Sequence, residues 1–301
     1  WIFLMEIKVF SFVEKRLNWH GNGAITPWRL PVNQIKSFTI TILEVTAQPK
    51  VRSSFQVMDT AGMRSSKTYY LPEHVGFYST NSSESLVVDL ARNISEILDD
   101  AIKKNGRASL AVSGGSTPKP LFEELSLINL DWSKVDLTLV DDRWVDSEHK
   151  DSNELLVKTH FIKNKAVKVN FVPLKSDAQS AKEGVALSEE ALKSIAKPFD
   201  IIVLGMGEDG HTASLFPCSD ELSVGMDLNT MSHLIATTPK TAPYERISLT
   251  AKSIFDAKNV FLHLNGSNKL HTLEEAMTIG DSSKMPIYAF LKKGLNIFWS
   301  P

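Results

Sequence analysis

The chain has 301 residues, of which 43% are hydrophobic and 23% are charged, as in an ordinary globular protein with a sizeable core. Its formal net charge of -2, without a cluster of basic residues, gives no reason to expect nucleic acid or an anionic membrane as a partner. The single cysteine, Cys218, excludes an intramolecular disulfide and a cysteine-rich metal site, and no apolar run reaches the ~18 residues of a membrane span, so we expect a cytoplasmic location.

Residues 1–66 differ from the rest of the chain because they hold scattered aromatic residues and prolines without a sustained helical period. We interpret them as an N-terminal extension that is weakly structured or non-native, with a small added element as the alternative. The range 34–45 within this extension has some β character. Residues 67–301 are predicted to form one compact domain, since no linker or internal repeat interrupts them.

From residue 67 onward the sequence predicts helices and strands in alternation. The first helix covers 83–104, where apolar residues recur at helical spacing until Asn105-Gly106. Apolar runs predict strands at 108–112, 135–140, 169–172, 201–204, 233–237, 246–249 and 260–264, with further helices at 121–125, 152–161, 178–195, 251–255 and 267–277. The ranges 287–290 and 296–299 are late strand candidates. This order favours an α/β fold with a largely parallel, Rossmann-like sheet flanked by helices and a small subdomain of late strands.

The stretch 201–217 holds the strongest candidate for a catalytic site. It begins with an apolar run that predicts a strand buried on both faces. The loop after this strand can turn sharply and approach a ligand closely because it contains three glycines, Gly205, Gly207 and Gly210. Asp209 and His211 lie in the same loop and are suited to proton chemistry near neutral pH, at the edge where open α/β sheets form their sites.

Two other interpretations of this loop remain open. The three glycines fit G-x-G-x-x-G, but a dinucleotide site needs a long helix next and then a second strand that ends in an acid. Pro217 stops any helix after about two turns, and Asp227 lies in a polar stretch without a strand. The loop could also be a structural turn with an incidental histidine, although Asp209, two residues before His211, favours a functional interpretation.

Polar groups follow other strands as well. The loop Ser113, Gly114, Gly115, Ser116 and Thr117 precedes a helix, and its amides and hydroxyls suit an anion, although a structural turn is the alternative. It lacks the lysine of a nucleoside triphosphate loop. Asp141 and Arg143 follow the strand 135–140, where an ion-pair network is the alternative. Arg246 and Lys269 could complete a phosphate site or could be ordinary solvated charges.

Several motifs, in their order along the chain, resemble those of the 6-phosphogluconolactonase family. They are S-G-G-S-T-P at 113–118, D-D-R-W-V at 141–145, D-S-N at 151–153, G-M-G-E-D-G-H-T-A-S-L-F-P at 205–217, Y-E-R-I-S-L-T at 244–250 and G-S-N-K at 266–269. The resemblance covers about residue 70 to the C terminus. It implies the hydrolysis of 6-phospho-D-glucono-1,5-lactone to 6-phospho-D-gluconate in the oxidative pentose phosphate pathway, without metal or organic cofactor, on a sugar-phosphate isomerase/deaminase-like sheet.

The resemblance also implies a role for each candidate residue. His211 would be the general base that activates water, and Asp209 would orient or polarise the site. Asp141 and Arg143 would border the sugar ring, and Arg143 would stabilise charge on the lactone oxygens. The phosphate would be bound by the loop 113–117, Arg246 and Lys269. The expected partner is a small phosphorylated sugar lactone, and the expected assembly is a monomer or a homodimer.

The chain departs from the family pattern at Asp142, where a glutamate is usual, at Asp146, where a proline is common, and in its long N-terminal segment. Two alternative functions remain. A glucosamine-6-phosphate deaminase or related isomerase would carry a glutamate five residues after the histidine, and here that residue is Phe216. A non-catalytic sugar-phosphate sensor would keep the anion loop and lose the catalytic pair, whereas this chain has both Asp209 and His211.

Overall fold

The computed structural model describes residues 50–58, 64–72 and 74–301, which form three sheets and eight α-helices. The strands are β1 (Lys50–Met58), β2 (Arg64–Pro72), β3 (Gly76–Ser79), β4 (Ala108–Val112), β5 (Val135–Leu139), β6 (Asp141–Arg143), β7 (Asn170–Val172), β8 (Ile201–Leu204), β9 (Leu234–Thr237), β10 (Arg246–Leu249), β11 (Asn259–Asn265) and β12 (Asn296–Ser300). The helices are α1 (Ser83–Asn105), α2 (Lys119–Leu127), α3 (Asn153–His160), α4 (Ala181–Leu192), α5 (Leu222–Gly225), α6 (Ala251–Asp256), α7 (Ser267–Ile279) and α8 (Ile287–Lys293).

Strands β1 and β2 form an antiparallel hairpin, in register from Lys50 opposite Pro72 to Met58 opposite Arg64. The hairpin includes residues 50–58 and 64–66 of the predicted extension and fits the alternative of a small added element. The predicted boundary between residues 66 and 67 falls within β2. The β character at 34–45 lies outside the described residues.

The large sheet has seven parallel strands in the order β3-β12-β11-β8-β4-β5-β7, which confirms the predicted α/β class. Strands β5 and β7 lie on one side of β4, and β8, β11, β12 and β3 lie on the other. The strand order thus reverses between β4 and β8. At such a switch point the loops after the two strands diverge, and the crevice between them is the usual ligand site of an open α/β sheet.

Helix α1 shows how the sequence pattern produces this core. Leu86, Leu90 and Ile94 recur at helical spacing and are buried, with at most 1% of each residue's surface exposed. The hydroxyl of Ser82 accepts a backbone N–H of the first turn, and Gly106 ends the helix with a φ of 82°. The predicted helix 83–104 and its glycine stop are confirmed.

The other predicted helices and strands are confirmed with ends that differ by at most three residues, except for the range 287–290. That range was predicted as a strand and lies in α8, which begins after Pro286 and ends before Gly294. A short apolar run does not distinguish a strand from a buried helix. Pro286 and Gly294 are the start and stop signals that mark this range as a helix. The short elements β3, β6 and α5, of three or four residues each, were not predicted.

A small antiparallel sheet has the strand order β6-β10-β9. It is joined directly to the large sheet along the chain, because β6 begins two residues after β5 ends. It is the predicted small subdomain, although the late strand β12 belongs to the large sheet. Arg246 on β10 pairs with Arg143 on β6, and Ser248 pairs with Asp141. The small sheet therefore carries three predicted site residues.

None of the helices in the described part of the chain has the length and apolarity needed to cross a bilayer.

Candidate active site

The loop after β8 holds His211 and Asp209 against each other. The carboxylate Oδ1 of Asp209 lies 2.5 Å from Nδ1 of His211 and also accepts its backbone N–H at 3.2 Å. The backbone N–H of Gly207 donates to the carbonyl of His211 at 2.8 Å. A Cβ on residue 207 would lie 2.2 Å from the imidazole, so the ring's position requires glycine there.

This contact decides which imidazole nitrogen is available for chemistry. An ionised carboxylate only accepts hydrogen bonds, so in the neutral imidazole Nδ1 carries the proton and Nε2 has the lone pair. Burial alone would raise the pKa of Asp209, but the hydrogen bond and the charge of His211 oppose it, and the net pKa lies below its usual value. The His211 side chain is 25% exposed, so it is accessible to water or a substrate.

Phe216 connects the histidine to a cation. Its ring stacks on the imidazole of His211, with centroids 3.8 Å apart and planes inclined by 24°. The guanidinium carbon of Arg246 lies 5.2 Å from the centroid of the same phenyl ring. Phe216 is buried, and no proton donor or acceptor occupies the position where a deaminase would carry its glutamate.

Arg143 and Arg246 lie directly opposite each other in the small sheet. Arg143 donates through Nη1 to the carbonyl of Asp151 at 2.7 Å, and Arg246 donates through Nη2 to the carbonyl of Pro243 at 3.3 Å. Both Nε atoms are buried and lack a partner among the described residues. Burial lowers the pKa of Arg246, and the charge of Asp141 opposes this shift. Two adjacent cations with unused donors favour an anionic or developing negative group between them.

Asp141 is held from two sides. Its Oδ2 accepts the hydroxyl of Ser214 at 2.5 Å, and its backbone carbonyl accepts Nδ2 of Asn153 at 2.8 Å. Asn153 also lies against the anion loop, since a Cβ on Gly114 would lie 1.9 Å from its Oδ1. Asn153 thus connects the backbone of β6 in the small sheet to the loop after β4.

The loop 113–117 lines a cavity of about 230 Å³ together with Gly205, Met206 and Lys269. The backbone N–H of Ser113 donates to the carbonyl of Val203 at 2.9 Å, which joins the ends of β4 and β8. The cavity therefore opens at the switch point and combines backbone amides with a lysine, a combination suited to phosphate.

The predicted site residues fall into two adjoining groups. The anion loop and Lys269 line the cavity. The other predicted residues do not line it, but their contacts connect them to one another and, through Asn153, to Gly114; they are Asp141, Arg143, Asp209, His211 and Arg246. Arg246, which was expected among the phosphate ligands, lies in this second group beside Arg143.

Sequence reasoning missed the role of Asp142. Its carboxylate accepts the backbone N–H groups of Arg143, Asn153 and Glu154 at 2.8, 2.7 and 3.1 Å, and the last two belong to the first turn of α3, next to its N-cap Ser152. Burial raises the pKa of Asp142 to about 6, although these hydrogen bonds oppose the shift. Its position, where the family usually has glutamate, gave the only sequence signal, and the capped amides lie more than ten residues away.

No group of three or more His, Cys, Asp or Glu side chains in residues 50–58, 64–72 and 74–301 is arranged to hold a metal ion.

Comparison with known proteins gives one consistent family. Residues 81–299 match the family model described as glucosamine-6-phosphate isomerases/6-phosphogluconolactonase. The 6-phosphogluconolactonase of Pseudomonas putida is 38% identical over 231 residues, 77% of this chain and 95% of that protein. That of Rhizobium meliloti is 42% identical over 220 residues, 72% and 95% of the two chains. The crystal structure of a 6-phosphogluconolactonase from Shewanella baltica has a TM-score of 0.74 at 40% identity, covering 77% of this chain and all of that one.

Proposed function

Because the chain belongs to the glucosamine-6-phosphate isomerase/6-phosphogluconolactonase family, we propose that it hydrolyses 6-phospho-D-glucono-1,5-lactone to 6-phospho-D-gluconate. This is the reaction of the pentose phosphate pathway that the names of its relatives imply. The observation that carries the proposal is the His211–Asp209 pair, which follows β8 at the switch point of the sheet, beside an anion cavity lined by the loop after β4.

His211 acts as the general base. Its free Nε2 accepts a proton from water as the water oxygen attacks the lactone carbonyl carbon and forms a tetrahedral intermediate. Asp209 holds the Nδ1 proton and stabilises the imidazolium that forms. When the ring C–O bond breaks, the imidazolium returns its proton to the leaving hydroxyl oxygen, so His211 ends the cycle neutral.

The two arginines stabilise the charge that develops during this attack. The lactone carbonyl oxygen becomes an oxyanion, and the unused Nε donors of Arg143 and Arg246 are available to it. Asp141 accepts a hydrogen bond from a sugar hydroxyl and so fixes the ring beside these cations. The arginines supply the electrostatic stabilisation without a metal or organic cofactor.

The substrate phosphate binds in the cavity of the loop 113–117 and Lys269. Backbone amides and a lysine bind the phosphate dianion away from the reacting carbon. Because the phosphate and the lactone carbonyl carbon are a fixed distance apart in the substrate, this binding places the lactone against His211. A phosphorylated lactone is therefore bound at both ends, whereas an unphosphorylated one is bound at the reacting end alone.

The proposal is tested by assaying the full chain with 6-phospho-D-glucono-1,5-lactone and, separately, with glucosamine 6-phosphate. We expect saturable lactone hydrolysis and no ammonia release. The deaminase alternative is disfavoured because Phe216 stacks on His211 where an acid would be needed. Ammonia release without lactone hydrolysis would replace the proposal by that alternative. Binding of 6-phosphogluconate without turnover of either compound would indicate the non-catalytic sensor.

For the assembly we predict a monomer or homodimer, and for the location the cytoplasm, with a small phosphorylated lactone as the partner. Both stay predictions.

A further inference from the structure

The cavity beside the anion loop contains two buried polar side chains that are left without a hydrogen bond. His263 is 4% exposed and Ser113 is 8% exposed. Nδ1 of His263 and Oγ of Ser113 have no partner among the residues that the structure describes. Both residues line the same cavity of about 230 Å³. Because buried polar atoms nearly always have a partner, two such atoms in one cavity indicate a ligand that supplies it.

Both side chains are attached to the rigid centre of the large sheet. His263 lies in β11, which pairs in parallel with β8 on one side and β12 on the other. Ser113 directly follows β4, and its backbone N–H is bound to Val203 of β8. Neither backbone can shift far to find another partner, so these groups are in position before a ligand arrives.

The chemistry of the lining indicates which ligand fits. Burial lowers the pKa of His263 to about 4, so its imidazole is neutral near neutral pH and offers one N–H donor. The hydroxyl of Ser113 offers another donor. Lys269 and the amides of the loop 113–117 are donors as well. A group that accepts many hydrogen bonds at once is required, and a phosphate monoester presents three strong acceptor oxygens.

We propose that His263 and Ser113 form the buried end of the phosphate pocket and donate hydrogen bonds to the phosphoryl oxygens, which makes His263 a specificity-determining residue. This inference rests on the proposed function and adds to it a neutral donor in an otherwise apolar strand, V-F-L-H-L at 260–264. His263 contributes to substrate binding and takes no part in the proton transfer at His211.

Two substitutions test the inference. His263→Phe removes the ring nitrogens and keeps a planar ring, and Ser113→Ala removes one hydroxyl without added volume. We expect each to raise both the KM for the phosphorylated lactone and the inhibition constant of inorganic phosphate about tenfold, the effect of one lost hydrogen bond to a charged group, with kcat within about twofold. His233→Phe is the matched control, since His233 is a half-buried histidine bonded to Ser253 and does not line the cavity.

Thermal unfolding gives a readout that a packing role would not produce. Without ligand, His263→Phe should have a higher Tm than the wild type because an unpaired buried polar atom is removed. The rise in Tm caused by inorganic phosphate should be smaller in the variant than in the wild type. A histidine that serves packing alone would give a lower Tm on substitution and an unchanged response to phosphate.

The outcomes separate the two proposals. If the wild type hydrolyses the lactone but both variants keep its KM and its response to phosphate, the inference is overturned and the proposed function stands. If the wild type does not hydrolyse the lactone, the proposed function fails first. Should His263→Phe not fold, His263→Leu takes its place because it also removes both ring nitrogens, and a wild-type KM and phosphate response in that variant overturn the inference.

Discussion

Three contacts fix the imidazole of His211. Asp209 accepts its Nδ1 proton, Phe216 stacks on its face, and the Cα of Gly207 lies so close that no side chain fits there. The hydrogen bond to Asp209 restricts rotation of the ring within its plane, and the stack on Phe216 restricts tilting out of that plane. The backbone at Gly207 restricts displacement of the ring toward the loop. A histidine held in this way loses little entropy when substrate binds, which favours the proton transfer that we propose for it.

Asp209→Asn tests the carboxylate. An asparagine can turn its amide N–H toward Nδ1, which would place the imidazole proton on Nε2 and remove the base. We expect kcat to fall about 10²–10⁴-fold with KM within about threefold, measured by lactone hydrolysis. Asp227→Asn is the control because Asp227 also accepts local hydrogen bonds, from Asn229, in an exposed loop. Equal kcat values for the two variants would contradict the role of Asp209.

Among the helices, α3 contacts both groups of candidate site residues. Its first residue, Asn153, bonds the carbonyl of Asp141 and packs against Gly114. Two backbone N–H groups of its first turn donate to Asp142, which lies between Asp141 and Arg143 in β6. The position of α3 and the position of two site residues are therefore set by the same carboxylate. The departure from the family's usual glutamate falls on a structural residue at this junction.

Asp142→Ala should destabilise the protein because it leaves the capped amides of Asn153 and Glu154 without a partner in a buried position. We expect the free energy of unfolding to fall by about 2–3 kcal/mol, measured by urea denaturation. Asp146→Ala is the matched control, since the carboxylate of Asp146 accepts the N–H of Glu148 in an exposed loop, and it should cost less than about 0.5 kcal/mol. Similar losses in the two variants would contradict the stabilisation of these amides by Asp142.

At the scale of the whole molecule, two buried groups with opposite pKa shifts affect how stability depends on pH. The pKa of Asp142 is raised to about 6 by burial, and that of His263 is lowered to about 4 by burial. Between these values the folded chain holds a proton on Asp142 that the unfolded chain lacks. The unfolded chain holds a proton on His263 that the folded chain lacks. The two contributions to the pH slope therefore cancel between about pH 4 and 6.

Single substitutions should reveal each slope. Without His263, the remaining shift at Asp142 makes stability fall as pH rises from about 4 to 6, by up to about 1.4 kcal/mol per pH unit relative to wild type. Without Asp142, the remaining shift at His263 makes stability rise by a similar amount over the same range. Urea denaturation of His263→Phe and Asp142→Ala at several pH values measures both. Slopes of the same sign in the two variants would contradict the opposed shifts.

Local patterns predicted most of the sheet and the contact between the two proposed catalytic residues. Asp209 and His211 are two residues apart in one loop, so their contact follows from sequence spacing. The contacts of Asp142 and Asn153 join residues that lie ten or more positions apart, and no periodicity indicates them. The role that we propose for His263 has no local signal in the sequence, because it is a single histidine in an apolar run. The range 287–290 was misassigned because only the neighbouring Pro286 and Gly294 distinguish its helix from a strand.

The most direct measurement is the turnover of 6-phospho-D-glucono-1,5-lactone by the wild type and by His211→Ala, after the uncatalysed hydrolysis is subtracted. If Nε2 of His211 deprotonates water while the phosphate is bound elsewhere, kcat should fall about 10²–10⁴-fold and KM should stay within about threefold. A variant that keeps a kcat near that of the wild type would contradict His211 as the base.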